Sequence, residues 1–260
     1  MPDAARDMRF SSTLARGLAV LRAFRPSDDG LGNQEISQRT GIPKPTVFRL
    51  THTLCADGYL TQGKRNDKYR LGPAALALGQ IAGASFEFVS EATPFMQALA
   101  NESGALIGIA IQDAGHMLMC KTWTPDDPGR DWMEVGYRMP LLSSSSGRAY
   151  LAALSAQGRE ELAASLESIE TRELEDVCDL ARRELDGSGF ISVQGEARYS
   201  PTITAVAVPF WPTGMGAPVA FLAGSATAAM SEEHMRSKIG PALVKAVADF
   251  RVRIGANDRA

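Results

Sequence analysis

Cysteine is scarce in this chain: Cys55, Cys120 and Cys178 stand far apart in 260 residues. An odd, scattered set excludes a disulfide framework and fits a reducing compartment. Histidine is equally rare, with three residues, and no C-x-x-C or H-x-x-x-H spacing is present to hold zinc. Long apolar runs are missing as well. The longest, at 202–209 and 217–223, fall short of the ~20 residues a membrane helix needs. The opening residues carry Asp3, Arg6, Asp7 and Arg9 around no apolar stretch, which does not read as a secretory signal. No G-x-S-x-G elbow and no Gly-rich loop leading into a helix occurs. Ser, His and Asp exist in nearly every chain, so Ser144, Ser145 and Ser146 with His116 or His234 carry no triad signal. These absences predict a soluble cytoplasmic protein that is not an enzyme, with no cofactor, metal or membrane partner.

What is present is an ordinary globular composition, 45 % apolar and 22 % charged, with an uneven charge distribution. Residues 1–72 hold 12 Lys+Arg and 7 Asp+Glu, while residues 73–260 hold 15 and 23. A small basic module joined to a larger acidic one is the reading, and a basic module steers a chain toward phosphate.

The basic module reads as a winged helix-turn-helix. Leu14, Leu18 and Leu21, with Gly17, Val20 and Phe24 beside them, make one wide apolar stripe behind Ser11 or Ser12 as N-cap. A second helix fits 33–40, with Asn33 as its N-cap and Ile36 inward. Gly41, Ile42 and Pro43 make a tight turn, and a third helix follows over 45–57. Its inward stripe is Val47, Leu50 and Leu54; Pro45, Arg49 and His52 fall opposite, flanked by Phe48 and Thr53. After Gly58 the period becomes alternating. Residues 59–62 and 68–71 read as strands around a turn with Lys64 and Arg65, a wing whose Lys64, Arg65, Lys68 and Arg70 face backbone phosphates.

The run Ile36-Ser37-Gln38-Arg39-Thr40-Gly41-Ile42-Pro43-Lys44-Pro45-Thr46-Val47-Phe48-Arg49-Leu50, followed by Gly58-Tyr59-Leu60 and Tyr69-Arg70-Leu71-Gly72, resembles the DNA-binding domain of the IclR family of bacterial transcriptional regulators. Two positions depart from the pattern: Pro45 replaces the usual serine, and Phe48 stands where a polar residue or His is common. The resemblance continues through 73–79, a linker helix, and 94–103, the helix that opens the effector-binding domain. It also covers 138–152, against a family block reading PLHATAxGKAxLA, then 189–191 and 201–209.

The resemblance implies an α+β architecture: a winged helix-turn-helix over 1–72, a linker helix over 73–92 and a GAF-like α/β effector-binding domain over 93–260. It implies a homodimer or tetramer that binds double-stranded DNA and responds to a small-molecule effector. The DNA-binding set is Lys44, Pro45, Thr46, Phe48, Arg49, His52, Thr53, Lys64, Arg65 and Lys68. The effector-binding set is Ser144, Ser145, Ser146, Met119, Met133, Ala205, Leu222 and Gly224. Ala205, Leu222 and Gly224 stand where relatives with small-acid ligands carry Cys or Ser, so the expected ligand is larger or less polar, such as an aromatic acid. The competing reading is a metabolic hydrolase with an accessory basic module.

The residues of the second half agree by themselves. Residues 106–111 and 117–122 are β-like around Asp113-Ala114-Gly115, a hairpin signal. Further strands fit 190–193, 203–210 and 219–222; helices fit 146–154, 158–169, 171–187 and, behind Ser231, 232–254. The arrangement predicts a mostly antiparallel sheet with helices on one face and a small pocket on the other.

Overall fold

The computed structural model describes residues 10–63, 68–84, 86–126, 133–166 and 169–255. The chain divides into two compact units, Met1–Glu87 and Phe88–Ala260.

In the first unit, helix α1 spans Ser12–Leu21, and Ser11 is its cap, its Oγ accepting from the Leu14 N–H at 3.3 Å. Only part of the expected apolar stripe turns inward. Gly17 and Val20 are buried, whereas Leu14 and Leu18 are 62 % and 50 % exposed, because the stripe is wider than the small core beneath it. Helix α2 spans Asn33–Thr40. Its cap is Gly32 rather than Asn33, and the Glu35 carboxylate reaches back to accept the Gly32 N–H at 2.7 Å. Asn33 instead accepts from the Thr51 hydroxyl at 3.2 Å, which fixes α2 against the next helix. Gly41 ends α2 at φ +71°, a conformation that costs glycine nothing. Helix α3 spans Lys44–Ala56, opened by the Pro43 carbonyl, which accepts from Thr46 and Val47 N–H groups.

Strands β1 (Leu60–Gln62) and β2 (Tyr69–Leu71) pair antiparallel, with Leu60 opposite Leu71. Leu31 pairs with the other edge of β2 by exchanging two backbone bonds with Tyr69. Val20, Leu31, Ile36, Ile42, Val47, Leu60 and Tyr69 form the core of this winged helix-turn-helix. Helix α4, Pro73–Ala84, follows and buries none of its residues. The segment 73–92 thus holds all of α4 and the start of the next helix, not one continuous helix.

Helix α5 spans Glu87–Ser103 and carries Pro94 in its interior, so it begins well before the expected 94. The sheet of the second unit has the order β5-β4-β3-β7-β6, every neighbouring pair antiparallel. Its strands are β3 (Leu106–Asp113), β4 (His116–Trp123), β5 (Arg138–Pro140), β6 (Ile203–Phe210) and β7 (Val219–Ala226). The β3–β4 hairpin turns through Ala114 at φ +52°. Residues 190–193 do not form the expected strand: only Ile191 bridges, to Ala207.

Helices α6 (Ser145–Ala153), α7 (Ala156–Ser165) and α8 (Thr171–Ser188) follow β5. The C-terminal helical stretch is interrupted. Ser231 caps α9 (Glu232–His234), a π-helical turn covers Met235–Ile239, and α10 runs Gly240–Arg253.

Both faces of the sheet are covered, not one. On the α6 side, Leu106, Ala110, Met117, Met119, Met139, Ala207, Ala220 and Leu222 share a core with Ala149, Leu151 and Cys178. Side chains alternate along a strand, so Phe221 points the opposite way from Leu222. There it meets Phe210 and Phe250 of α10 at centroid distances of 5.6 and 5.9 Å, and Phe88 and Phe95 of α5 complete the aromatic layer. Aromatic pairs at such tilts add to the energy of the area they bury.

Candidate functional site

The outward side of α3 follows from its inward one. Val47 and Thr51 are buried, so the helical period turns Pro45, Phe48, Arg49, His52 and Thr53 to the exterior, all exposed. Lys44 is exposed at the first position and Thr46 is half-buried beside it. Phe48 keeps 58 % of its surface exposed. Thr53 donates its hydroxyl to the Arg49 carbonyl at 3.1 Å. Lys68 lies half-buried at the base of the wing, and Arg70 pairs with Asp29. Lys64 and Arg65 fall outside the described residues.

A cleft of about 450 Å³ runs along this side of α3. From α3 it is lined by Thr46, Phe48, Arg49, Leu50, His52 and Thr53; from α1 it is lined by Thr13 and Arg16. Sequence reasoning missed the two α1 residues. The signal was there, since Arg16 precedes the buried Gly17, but the stripe on α1 was read only for its apolar side.

The residues expected to hold an effector gather on the α6 side of the sheet. Ser144, Ser145 and Ser146 are all buried, and their hydroxyls are engaged within the protein. Ser144 Oγ accepts from the Gly147 N–H at 3.0 Å, capping α6, and donates to the Pro140 carbonyl at 2.7 Å. Ser145 Oγ donates to the Ala205 carbonyl at 2.9 Å and accepts from the Val193 N–H at 3.2 Å. Ser146 Oγ lies 3.3 Å from Ser144 Oγ and 3.5 Å from Met139 Sδ. The three serines therefore pin the start of α6 to β6 and to the loop before it.

Ala205 and Gly224 face each other across β6 and β7, as do Ala207 and Leu222. The small side chains leave space that methionines fill. A Cβ built on Gly224 would lie 3.5 Å from Met133 Cε, and one on Gly108 only 2.6 Å from Met119 Sδ. Met133 Sδ in turn lies 4.0 Å from the Tyr199 hydroxyl. Tyr199 was not foreseen: no periodicity marks it, and it reaches this face only through the fold. Burial, together with the neighbouring Tyr137, pushes its phenol well above the ordinary range, so it stays neutral. Among the described residues, no three His, Cys, Asp or Glu side chains converge as a metal site, and no helix is long and apolar enough to cross a membrane.

Comparison with known proteins agrees with this layout. The IclR helix-turn-helix domain matches residues 13–64, and the C-terminal domain of the bacterial transcriptional regulator IclR matches 82–249. The HTH-type transcriptional regulator TsaQ1/TsaQ2 of Comamonas testosteroni is 29 % identical, over 94 % of this chain and 88 % of its own length. The crystal structure of an IclR family transcriptional regulator from Brucella abortus is 32 % identical with a TM-score of 0.69, over 95 % of this chain and 94 % of that one. An IclR homolog from Microbacterium hydrocarbonoxydans, complexed with 4-hydroxybenzoate, shares the fold at 20 % identity and a TM-score of 0.64, over 92 % of this chain and 100 % of that one. With both of its parts matched, this chain belongs to the IclR family of bacterial transcriptional regulators.

Proposed function

We propose that this regulator enters the major groove of duplex DNA with α3. Arg49 meets a base edge or the adjacent phosphate, Lys44 and Thr46 hold phosphate, and Phe48 packs on a thymine methyl. Pro45, His52 and Thr53 border that contact, while Lys64, Arg65 and Lys68 of the wing lie along the backbone. One observation carries the reading: α3 is anchored by Val47 and Thr51, leaving an exposed side whose cations Lys44 and Arg49 have no ion-pair partner among the described residues. The test is selection of duplexes from a randomised pool by the full chain, then a mobility shift on the enriched duplex. Arg49→Ala is expected to lose the shift with an unchanged melting temperature. A normal shift with that variant would remove Arg49 from the contact.

Two or four copies are proposed to act together, reading a pseudo-palindrome. The support is apolar surface that one copy leaves open. On α4, Leu76, Leu78 and Ile81 are 67 %, 52 % and 67 % exposed, and Leu14 and Leu18 of α1 are similarly open. Sedimentation of a Leu76→Glu/Ile81→Glu variant is expected to show a smaller species than the unaltered chain. An unchanged mass would exclude α4 from the contact.

The effector is proposed to be a small carboxylic or aromatic acid bound on the α6 side, against Met119, Met133, Ala205, Leu222 and Gly224. The start of α6 at Ser144, Ser145 and Ser146 would orient it. The support is a face of small residues filled by adaptable methionines, with the Tyr199 hydroxyl near its edge, and a relative of the same fold that holds 4-hydroxybenzoate. A melting-temperature screen of such acids against the full chain tests it. Hydrolysis is disfavoured, since the Ser145 hydroxyl donates to a backbone carbonyl rather than to an imidazole. Ester turnover lost in Ser145→Ala would reverse that.

A further inference from the structure

We propose that Arg16 of α1 is a second anchor for the DNA backbone, and that Arg16 and Arg49 close on the same phosphodiester from two helices. The inference rests on the DNA reading above and extends it to a residue of α1, outside the α2–α3 pair.

The geometry begins at Gly17. It is buried against α3, and a Cβ built on it would lie 4.0 Å from Leu50 Cδ2. The two helices approach there. The residue before Gly17 and the residue before Leu50 emerge at the rim of one cleft, which both of them line. Thr13, one turn earlier on α1, joins them, as do Thr46 and Thr53 from α3.

The chemistry of the lining is one-sided. It offers two guanidinium groups and the hydroxyls of Thr13 and Thr46, while Thr53 donates its own to the Arg49 carbonyl, and it holds no carboxylate. Two other arginines of this unit are matched to carboxylates: Arg39 pairs with Asp28, and Arg70 pairs with Asp29. Arg16 and Arg49 have no ion-pair partner among the described residues. Two cations facing a shared cleft repel each other until an anion lies between them. A guanidinium presents a planar fork of donors that suits two phosphate oxygens, and threonine hydroxyls supply further donors to the same group. A phosphodiester is the fitting occupant because the cleft lies along the exposed side of α3, where the backbone runs when that helix sits in a groove. The contact holds the register of α3 and carries no sequence information.

The test uses the full chain and the duplex that it enriches from a randomised pool. Dissociation constants are measured against KCl concentration for the unaltered chain, Arg16→Gln, Arg16→Lys and Arg49→Ala. Arg16→Gln is expected to bind about tenfold more weakly and to flatten the slope of log K against log[salt] by about 1. The weakening should be equal on the enriched duplex and on an unrelated one, and Arg16→Lys should keep most of the slope. Unchanged affinity and slope in Arg16→Gln, while Arg49→Ala loses binding, would overturn the proposal and leave the DNA reading standing. A changed base preference in Arg16→Gln would also overturn it. Stabilisation of the DNA-free chain by inorganic phosphate at matched ionic strength, lost in Arg16→Gln without any effect on DNA, would assign the cleft to a free anion instead. An unaltered chain that enriches no duplex brings down both readings.

Discussion

Asp28 and Arg39 meet through two parallel bonds: Nη1 donates to Oδ2 at 2.6 Å and Nη2 to Oδ1 at 2.8 Å. The same Nη1 donates to the Ala23 carbonyl at 2.9 Å, and Asp28 Oδ2 accepts from the Arg25 N–H at 2.7 Å. The pair ties the end of α2 to the loop after α1, and so sets where α3 stands. Hydrogen bonding from Arg39 holds the Asp28 carboxyl below the ordinary carboxylate range. A lowered folded pKa stabilises the protein above the unfolded pKa of about 3.9, and that contribution disappears as pH falls through the folded value. Asp28→Asn is therefore expected to cost about 1–3 kcal/mol at pH 7. In urea titrations the gap to the unaltered chain should shrink below about pH 4. A gap constant from pH 7 to pH 3 would show that charge is not what holds the loop.

Gly147 and Gly224 lie on the same side of the sheet and should respond oppositely to alanine. A Cβ on Gly147 would overlap the Leu141 carbonyl and come within 2.6 Å of its carbon. Backbone cannot yield as a side chain does, so Gly147→Ala is expected to cost at least about 2 kcal/mol in a denaturant titration. At Gly224 the nearest atom is the Met133 methyl at 3.5 Å, an ordinary contact with a flexible end. Gly224→Ala should stay within about 0.5 kcal/mol of the unaltered chain. If the effector reading is right, it should still change the ligand-induced shift in melting temperature. Equal costs at the two positions would contradict this account of how α6 is seated.

Much of the first unit was legible because its signals are local. Gly41 breaks α2 four residues after Ser37, whose carbonyl its N–H then finds, and Val47 falls one helical turn after Pro43. Ser11 and Ser231 are caps that read directly from their neighbours. The serines at the start of α6 show the limit. Their position before a helix was readable, yet the partners of Ser145 lie 60 and 48 residues away at Ala205 and Val193. Likewise Phe190 was expected in a strand, but its ring covers Gly240 at the start of α10, where a Cβ would lie 2.6 Å from it. The break between Met235 and Ile239 did have a local marker, since Gly240 and Pro241 follow it and Pro241 has no N–H to continue the helical ladder, but a reading by apolar period alone passes over it.

Cys120 gives a prediction independent of DNA. It lies on β4 with its thiol donating to the Leu118 carbonyl at 3.3 Å, and burial pushes its pKa up to about 11. The thiolate is the reactive form, and at pH 8 about one thiol in a thousand would be ionised. Iodoacetamide at pH 8 should leave Cys120 unmodified in the folded chain by peptide mass analysis. Labelling should rise toward pH 11 and appear at pH 8 once urea unfolds the protein. Rapid labelling of the folded chain at pH 8 would mean that β4 opens readily to solvent.

Phe48 separates recognition from stability. Its ring is mostly exposed on α3, so little core is lost when it is shortened. Phe48→Ala should leave the unfolding free energy within about 0.5 kcal/mol. A contact with a thymine methyl would instead appear as base preference. Discrimination at one position of the enriched duplex should fall by about 1 kcal/mol, roughly fivefold, while the salt dependence stays unchanged, because no phosphate charge is lost. Competition between the enriched duplex and versions with thymine replaced by uracil measures this directly, since only the methyl differs. The unaltered chain should discriminate at a single site and Phe48→Ala should not. Equal discrimination by both proteins would place Phe48 against the protein's own wing rather than against a base.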